Sequence, residues 1–415
     1  MSKKTIVVLG AGLGGLRVAQ DLSKCFRKFP ALQRDYEIFL VDKNKMHVLK
    51  ADLYEVVAAF HKEITDSCLI RLGETVATPI SKLIDENMVT FLNDEVTNID
   101  LKSNVISLKQ SGKLKFHYLA VCLGAVTNYF NIPGLQQFSQ TMHSVSGAVK
   151  LSCYVDQFFY DLWKRKTVRP VCVSVGGGGA AGVETVGELV FALKKIAKKY
   201  HYPVGKISLQ LIEGMDRLAT LSKEQTSVIL RRLRRLGVKV YLNSLIQKVE
   251  KDHFVVKTKS GKKKKIQSDI FIWTGGVMVN PVVSRMLVNP FLQTKNYRNV
   301  FAAGDNAFFS DPKNPGRRVP MLGQHACREG VIIANNIVNL IKEKPLETFV
   351  PYTSIMILPL GGKYAVLAFG NRIFSGFLPW VLKRLVSLKY MMSIMPFFKA
   401  LKKWWSSNEV FAEND

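Results

Sequence analysis

The apolar and polar positions along this chain change period several times, and one succession of periods occurs twice. Ile6-Val7-Val8-Leu9 is a continuous apolar run rich in β-branched residues, closed by Gly10-Ala11-Gly12-Leu13-Gly14-Gly15. Such a run predicts a buried strand, and the glycines predict a tight turn. Leu16-Arg17-Val18-Ala19-Gln20-Asp21-Leu22 then takes helical spacing, and a second strand, residues 36–41, ends at Asp42. About 167 residues later the order returns. Val171-Cys172-Val173-Ser174-Val175 leads into Gly176-Gly177-Gly178-Gly179-Ala180-Ala181-Gly182, a helical stretch begins at Val183, and a strand over 207–212 ends at Glu213. Strand, glycine turn, helix and strand ending in a carboxylate is the plan of a dinucleotide-binding unit. Its glycines give the tight turn, the close approach to a pyrophosphate and the close seat of the helix, whose first amides face the phosphates. One such turn is weak evidence, but two in the same context are strong.

Beyond the second unit, residues 248–265 alternate as strands around a Ser260-Gly261 turn. Residues 269–274 form another buried strand before Gly275-Gly276, and Val300-Phe301-Ala302-Ala303-Gly304-Asp305 is a short strand ending in an aspartate. Helical spacing resumes from Arg328 through Leu340. The fold expected is α/β: two Rossmann-like domains, the first interrupted by the second, with a C-terminal amphipathic helical region. The expected partition is 1–150, 151–288, 289–345 and 346–415. Two nucleotide sites in one chain point to hydride exchange between a nicotinamide and a flavin.

The tail has its own pattern. Between Pro379 and Pro396 one helical arc carries Lys383, Arg384 and Ser387, and the other side gathers Val381, Leu382, Leu385, Val386, Leu388 and Met392. After Pro396, Phe397, Phe398, Leu401, Trp404 and Trp405 share one side, and Lys399, Lys402 and Lys403 the other. An apolar face with tryptophan, edged by lysines, is the signature of a helix lying in a bilayer interface; the competing reading is a helix pair packed on the protein's own core.

Fifty-nine Lys and Arg against thirty-two Asp and Glu leave a net +27, a broad positive field that nucleic acid, an anionic membrane face or an acidic partner could each answer. Nucleic acid is not expected, because the aromatic residues are not interleaved with the basic ones as stacking platforms. Lys262 to Lys265 reads as a solvated hairpin loop and Arg231-Arg232-Leu233-Arg234-Arg235 as a polar helix face. The six cysteines, at 25, 68, 122, 153, 172 and 327, include no local pair, so neither a metal site nor a redox dithiol is indicated. No uncharged stretch reaches the ~18–20 residues of a spanning helix, residues 348–362 being broken by prolines. Lys3-Lys4 runs straight into the first strand, so no secretory signal is expected.

Together the segments resemble two-nucleotide flavoprotein reductases, and more narrowly the type II NADH:quinone oxidoreductases. His47-Val48-Leu49-Lys50-Ala51-Asp52-Leu53-Tyr54-Glu55-Val56, Thr127-Asn128-Tyr129-Phe130-Asn131-Ile132-Pro133-Gly134, Trp273-Thr274-Gly275-Gly276 and Ala303-Gly304-Asp305 match in order and spacing over nearly the whole chain. The resemblance implies FAD held by Gly10, Gly12 and Gly15 at its pyrophosphate, Asp42 at its ribose and Asp305 at a ribityl or phosphate-side hydroxyl. It implies NADH at Gly177, Gly179 and Gly182, with Glu213 on the adenosine ribose, where a carboxylate repels a 2′-phosphate; Arg217 nearby blurs that preference. The cofactor-binding set also takes in Gly14, Lys43, Ala125, Gly178, Gly275, Gly304 and Gln324.

Glu184 corresponds to a family glutamate near the flavin ring, a positioning or proton-relay group, against which stands a solvent-facing helix residue. In Met321-Leu322-Gly323-Gln324-His325-Ala326-Cys327-Arg328-Glu329 the family's Gln324 is kept, while later glutamines are replaced by Arg328 and Glu329. Those two read as a structural ion pair or as fitted to another oxidant; His325 reads as an ordinary core histidine or as a proton donor to reduced quinone. Glu184 and Gln324 are the catalytic candidates, and no metal is called for. The acceptor implied is a quinone, and the setting a monotopic protein on the cytoplasmic face of a membrane. A homodimer stays open. Two other readings stand beside this one: an apoptosis-inducing-factor-like or ferroptosis-suppressor-like quinone reductase, and a flavoprotein sensor or scaffold with incidental turnover.

Overall fold

The computed structural model describes residues 3–312, 318–351, 355–412 and 414; the middle of the uncharged run 348–362 lies outside them. The chain forms two compact units, one of residues 1–47, 78–126 and 277–352, the other of 48–77, 127–276 and 353–415. The bounds differ from those expected. Residues 48–77 and the tail join the second glycine unit because the helix Leu53–Val57 is apolar or buried throughout and packs on the helices Val145–Lys164 and Ala180–Lys199.

In the first unit a six-stranded sheet runs in the order Gln293–Thr294, Tyr297–Ala302, Tyr118–Val121, Lys4–Leu9, Tyr36–Val41, Val89–Leu92, parallel except at its first pair. Alternation in the central strand assigns the two faces. Ile6 and Val8 meet the helices Leu13–Lys28 and Gly323–Ile341, whereas Val7 and Leu9 meet the antiparallel sheet of Val96–Asp100, Val105–Leu108 and Gly112–Lys115. Both faces are covered, which is why the strand is apolar at every position.

The second unit repeats the plan with five parallel strands, in the order Gln140–Thr141, Ile270–Trp273, Val171–Gly176, Ile207–Ile212, Lys239–Tyr241. Val171, Val173 and Val175 face a helical core. Ile212, Phe271 and Trp273 pack on the sheet of Ser244–Val249, His253–Thr258 and Lys263–Gln267. Lys263 to Lys265 therefore belong to a strand rather than to the hairpin loop expected, with the lysines exposed. Arg232 also departs from the solvated face expected of it. It donates to the carbonyls of Leu360 and Gly361 (3.3 and 2.5 Å) and lies 4.4 Å over the Tyr364 ring, tying the sheet Ile355–Pro359, Ala365–Phe369, Arg372–Gly376 to its helix.

The tail forms the helices Phe377–Ile394 and Phe397–Ala412, broken at Pro396 as expected. Its orientation is the unexpected part. Lys383 and Arg384 turn inward, with side chains 13% and 12% exposed. Phe377, Leu378, Leu385, Val386, Phe397, Phe398 and Trp405 lie on the outside. Lys403 donates to the carbonyls of Glu74 and Ala77, and Ser407 to that of Thr75, so the last helix caps the end of Asp66–Val76.

Candidate functional site

Each glycine turn is built from the same contacts. Gly10 N–H donates to the Val41 carbonyl at 2.7 Å and Gly177 N–H to that of Ile212 at 2.8 Å. Both glycines have left-handed φ, +90° and +102°, and a Cβ there would overlap the backbone of Cys122 or of Gly275, so only glycine fits. The strand-end acids close the turns. Asp42 Oδ2 accepts from Ala11 N–H at 2.7 Å, and Glu213 Oε2 accepts from Gly178 N–H at 2.6 Å. Their second oxygens accept from Asn44 N–H and Met215 N–H.

The space above each turn tests whether a dinucleotide fits. A Cβ on Gly12 or Gly179 would meet nothing within 4 Å among the described residues, while one on Gly15 or Gly182 would run into the carbonyl of Gly10 or Gly177. Gly12 and Gly179 thus leave an open backbone surface, and Gly15 and Gly182 seat the helix tightly. Neither helix has a side-chain cap, so its first amides remain available to phosphate oxygens. FAD and NADH fit these cradles. Gly14 does something else: it faces Ala303 and the Ala326 carbonyl and lets two helices of the first unit approach. Lys43 is exposed and lies 3.4 Å from Glu95. Gly178 faces Leu218 and Glu213, and Gly275 lies under the Trp273 ring, whose Nε1 donates to Asn128 O at 2.9 Å. Arg217 is held by Asp216 at 3.2 Å.

In the first unit the loops around Ala125 and Asp305 are brought together by a residue that sequence reasoning missed. Asn306, fully buried, accepts from Gly124 N–H at 2.7 Å and donates to Gly124 O at 3.2 Å. His47, quoted only as part of a motif, is a second omission: its Nδ1 lies 2.8 Å from Ala11 O, so it donates there and Ala11 is held at both backbone groups. For Asn306 the only signal was a polar residue two positions after Gly304, and for His47 there was none.

Gly304 is held from both sides. Its N–H donates to Glu329 Oε2 at 2.6 Å, and Arg318 donates to the carbonyls of Gly304, Asp305 and Ala307. Glu329 thus faces inward to a backbone amide. Burial pushes its carboxyl up to about 7, against the opposing pull of that amide and Arg318. Gln324 is half-buried in the first turn of Gly323–Ile341. His325 is buried, edge-on to Phe349 at 6.4 Å, and burial lowers its pKa, with Arg328 adding to the effect.

Glu184 proves not to face solvent. It is 7% exposed and joins an ionic cluster within the second unit. Lys383 Nζ lies 3.5 Å from Glu184 Oε1 and 3.8 Å from Asp52 Oδ1; Ser387 donates to Asp52 Oδ2 at 3.1 Å; Arg384 pairs with Glu55 at 2.7 Å. Burial pushes the Glu184 carboxyl up to about 7, with Lys383 opposing and Asp52 adding to the rise. Burial alone would lower Lys383, but Glu184 and Asp52 outweigh it and hold the ammonium charged. Buried acids need cations, and this need turns the polar arc of the tail inward. Tyr54 lies wholly buried beneath Lys383, 5.5 Å from ring to ammonium.

Residues 4–330 match the pyridine nucleotide-disulphide oxidoreductase family. Type II NADH:quinone oxidoreductases of Staphylococcus epidermidis and Staphylococcus aureus are 25% and 26% identical to this chain over 413 and 414 residues, covering 97% of it and 98% of their own length. The structure of NDH2 from Plasmodium falciparum in complex with NADH has a TM-score of 0.79 at 17% identity, covering 100% of this chain and 97% of that one. The sulfide:quinone oxidoreductase of Aquifex aeolicus gives 0.74 at 18%, covering 96% and 92%. At these identities the two structures speak for the fold alone. With twin dinucleotide cradles in place and its pattern matched across residues 4–330, the chain belongs to the pyridine nucleotide-disulphide oxidoreductase family.

Proposed function

We propose that this protein oxidises NADH and delivers the two electrons, with two protons, to a quinone at a membrane surface. The observation that carries this reading is the pair of open glycine cradles, each closed by a carboxylate on its own turn. FAD bound at the first cradle would supply a two-electron store able to take a hydride and release electrons to a quinone. The chain's own residues would do the rest. Gly12 and Gly179 present amides to the two pyrophosphates, while Asp42 and Glu213 hold the turns and accept from ribose hydroxyls. Glu213 also opposes a 2′-phosphate, and Arg217 is paired with Asp216 at 3.2 Å rather than with Glu213. Quinone reduction consumes protons. Glu184, neutral or ionised near pH 7 beside a fixed ammonium, is suited to hold and pass one. Gln324 would contact the acceptor as an amide donor.

A thiol-based route from NADH to the acceptor is not favoured. All six cysteines are free, and burial pushes the thiol of Cys122, behind the first turn, up to about 12. The names of the relatives in Staphylococcus support a quinone as acceptor over the scaffold reading. No helix among the described residues is long and apolar enough to cross a membrane. The outward aromatic and aliphatic side chains of the tail, with Lys389, Lys399 and Lys402 exposed among them, support a monotopic seat on an anionic leaflet. NADH as donor favours the cytoplasmic face.

The test is steady-state NADH oxidation by the purified protein against a panel of quinones and oxygen, with the bound flavin identified. A yellow protein bleached by NADH and recoloured by quinone is expected. A colourless protein that takes up no added flavin would refute the reading.

A further inference from the structure

Away from both cradles, the second unit contains a thiol, an imidazole and a hydroxyl in series. Cys68 Sγ lies 3.5 Å from His61 Nδ1, and His61 Nε2 lies 3.0 Å from Ser152 Oγ. Ser152 donates its one hydroxyl proton to the Ala59 carbonyl at 3.1 Å. A hydroxyl so committed can only accept from the imidazole, which fixes the His61 proton on Nε2 and leaves the Nδ1 lone pair facing the Cys68 thiol. His61 itself is 3% exposed. Lys199 holds its backbone by donating to His61 O at 2.9 Å.

Cys68 is half-exposed in the first turn of Asp66–Val76, its amide capped by Thr65 Oγ1 at 3.3 Å. A thiolate in a helix's first turn is favoured by the amides around it. Asp66 shares the first turn of its helix, and Cys153 on Val145–Lys164 feels both this thiol and Asp156, on which the Lys199 ammonium sits at 3.0 Å. Burial raises the thiols of the five other cysteines, Cys122 to about 12 and Cys327 to about 11. A low thiolate fraction makes these five slow nucleophiles.

We propose that Cys68 is a nucleophilic thiol, with His61 as its base, that is oxidised by hydroperoxides. The thiol proton passes to His61 Nδ1, and the sulfur attacks one peroxide oxygen. An S–O bond forms as the O–O bond breaks, and the leaving hydroxide takes the proton from His61. Hydrogen peroxide thus becomes water, and Cys68, losing two electrons, becomes a sulfenic acid. This site stands independently of the NADH–quinone reading.

The experiment uses the full-length holoprotein. Each cysteine is followed by peptide mass spectrometry during iodoacetamide labelling over about pH 5.5 to 9, and after hydrogen peroxide with dimedone present. Cys68 is expected to alkylate about tenfold faster than any other cysteine at neutral pH. It is also expected to carry the dimedone adduct. His61→Gln should slow its alkylation about tenfold. Because that side chain is buried, Ser152→Ala, which releases the tautomer, supplies a milder second variant with a smaller loss in the same direction. Alkylation of Cys68 at the rate found in the urea-unfolded chain, or a dimedone adduct confined to other cysteines, would overturn the proposal.

Discussion

The ammonium of Lys383 lies 3.5 Å from the Glu184 carboxylate, although almost two hundred residues separate the two in sequence. The folded Glu184 keeps its proton up to about pH 7, whereas an unfolded glutamate releases it near ~4.3. Between those values the folded state binds more protons, so this group's contribution is fully present below the unfolded pKa and is lost as pH rises through 7. Glu184→Gln removes that slope. The stability difference between variant and wild type should therefore shift in the variant's favour by roughly 3–4 kcal/mol between about pH 4 and 8, read from urea unfolding. Flavin bleaching by NADH should stay near wild type in the variant, while quinone-dependent turnover falls about tenfold or more. Equal loss in both half-reactions would argue against a proton-relay role.

The cradle glycines separate ligand binding from folding. Gly12→Ala adds a methyl into open space, so the apoprotein should unfold at the wild-type temperature while FAD affinity drops about tenfold or more. Gly15→Ala drives a methyl into the Gly10 carbonyl and should cost about 1–3 kcal/mol or more in the apoprotein itself. Calorimetry with and without FAD distinguishes the two outcomes. A Gly12 variant with unchanged FAD affinity would place the pyrophosphate elsewhere.

Cofactor choice should respond to two side chains together. Glu213 carries the charge that opposes a 2′-phosphate, and Asp216 occupies Arg217. Glu213→Gln combined with Asp216→Ala removes the repulsion and frees the guanidinium. The NADPH to NADH ratio of kcat/KM should rise about tenfold or more, with each single change giving less. An unchanged ratio in the double variant would mean that this strand end does not meet the adenosine ribose.

Much of this architecture is written in local periodicity. The runs 6–9 and 171–175 announce buried strands, and the glycines and terminal acids that follow announce the two tight turns. Long-range partnership is what periodicity does not encode. A helical wheel groups Lys383, Arg384 and Ser387 on one arc, but nothing local says which arc faces inward. That is decided by Glu184 on Ala180–Lys199, Glu55 on Leu53–Val57 and Asp52 just before that helix, all buried. Asn306 and His47 were missed for the same reason, since each acts on a backbone group far from it in sequence.

That inversion also changes how membrane attachment should be tested. Deleting the tail would strip Lys383 and Arg384 from three buried carboxylates, and removing one partner of a buried pair costs about 3–5 kcal/mol, so lost binding could not be told from lost structure. Phe398 and Trp405 avoid the difficulty, being 82% and 62% exposed. Phe398→Ser with Trp405→Ser should leave flavin content and unfolding temperature unchanged. Each side chain buried in the interface contributes about 1.5–3 kcal/mol, so the pair should weaken sedimentation with anionic liposomes by about a hundredfold or more. Raised salt should weaken the wild type further through its lysines. Undiminished sedimentation of the double variant, with its fold intact, would show that the exposed face of the tail is not what meets the lipid.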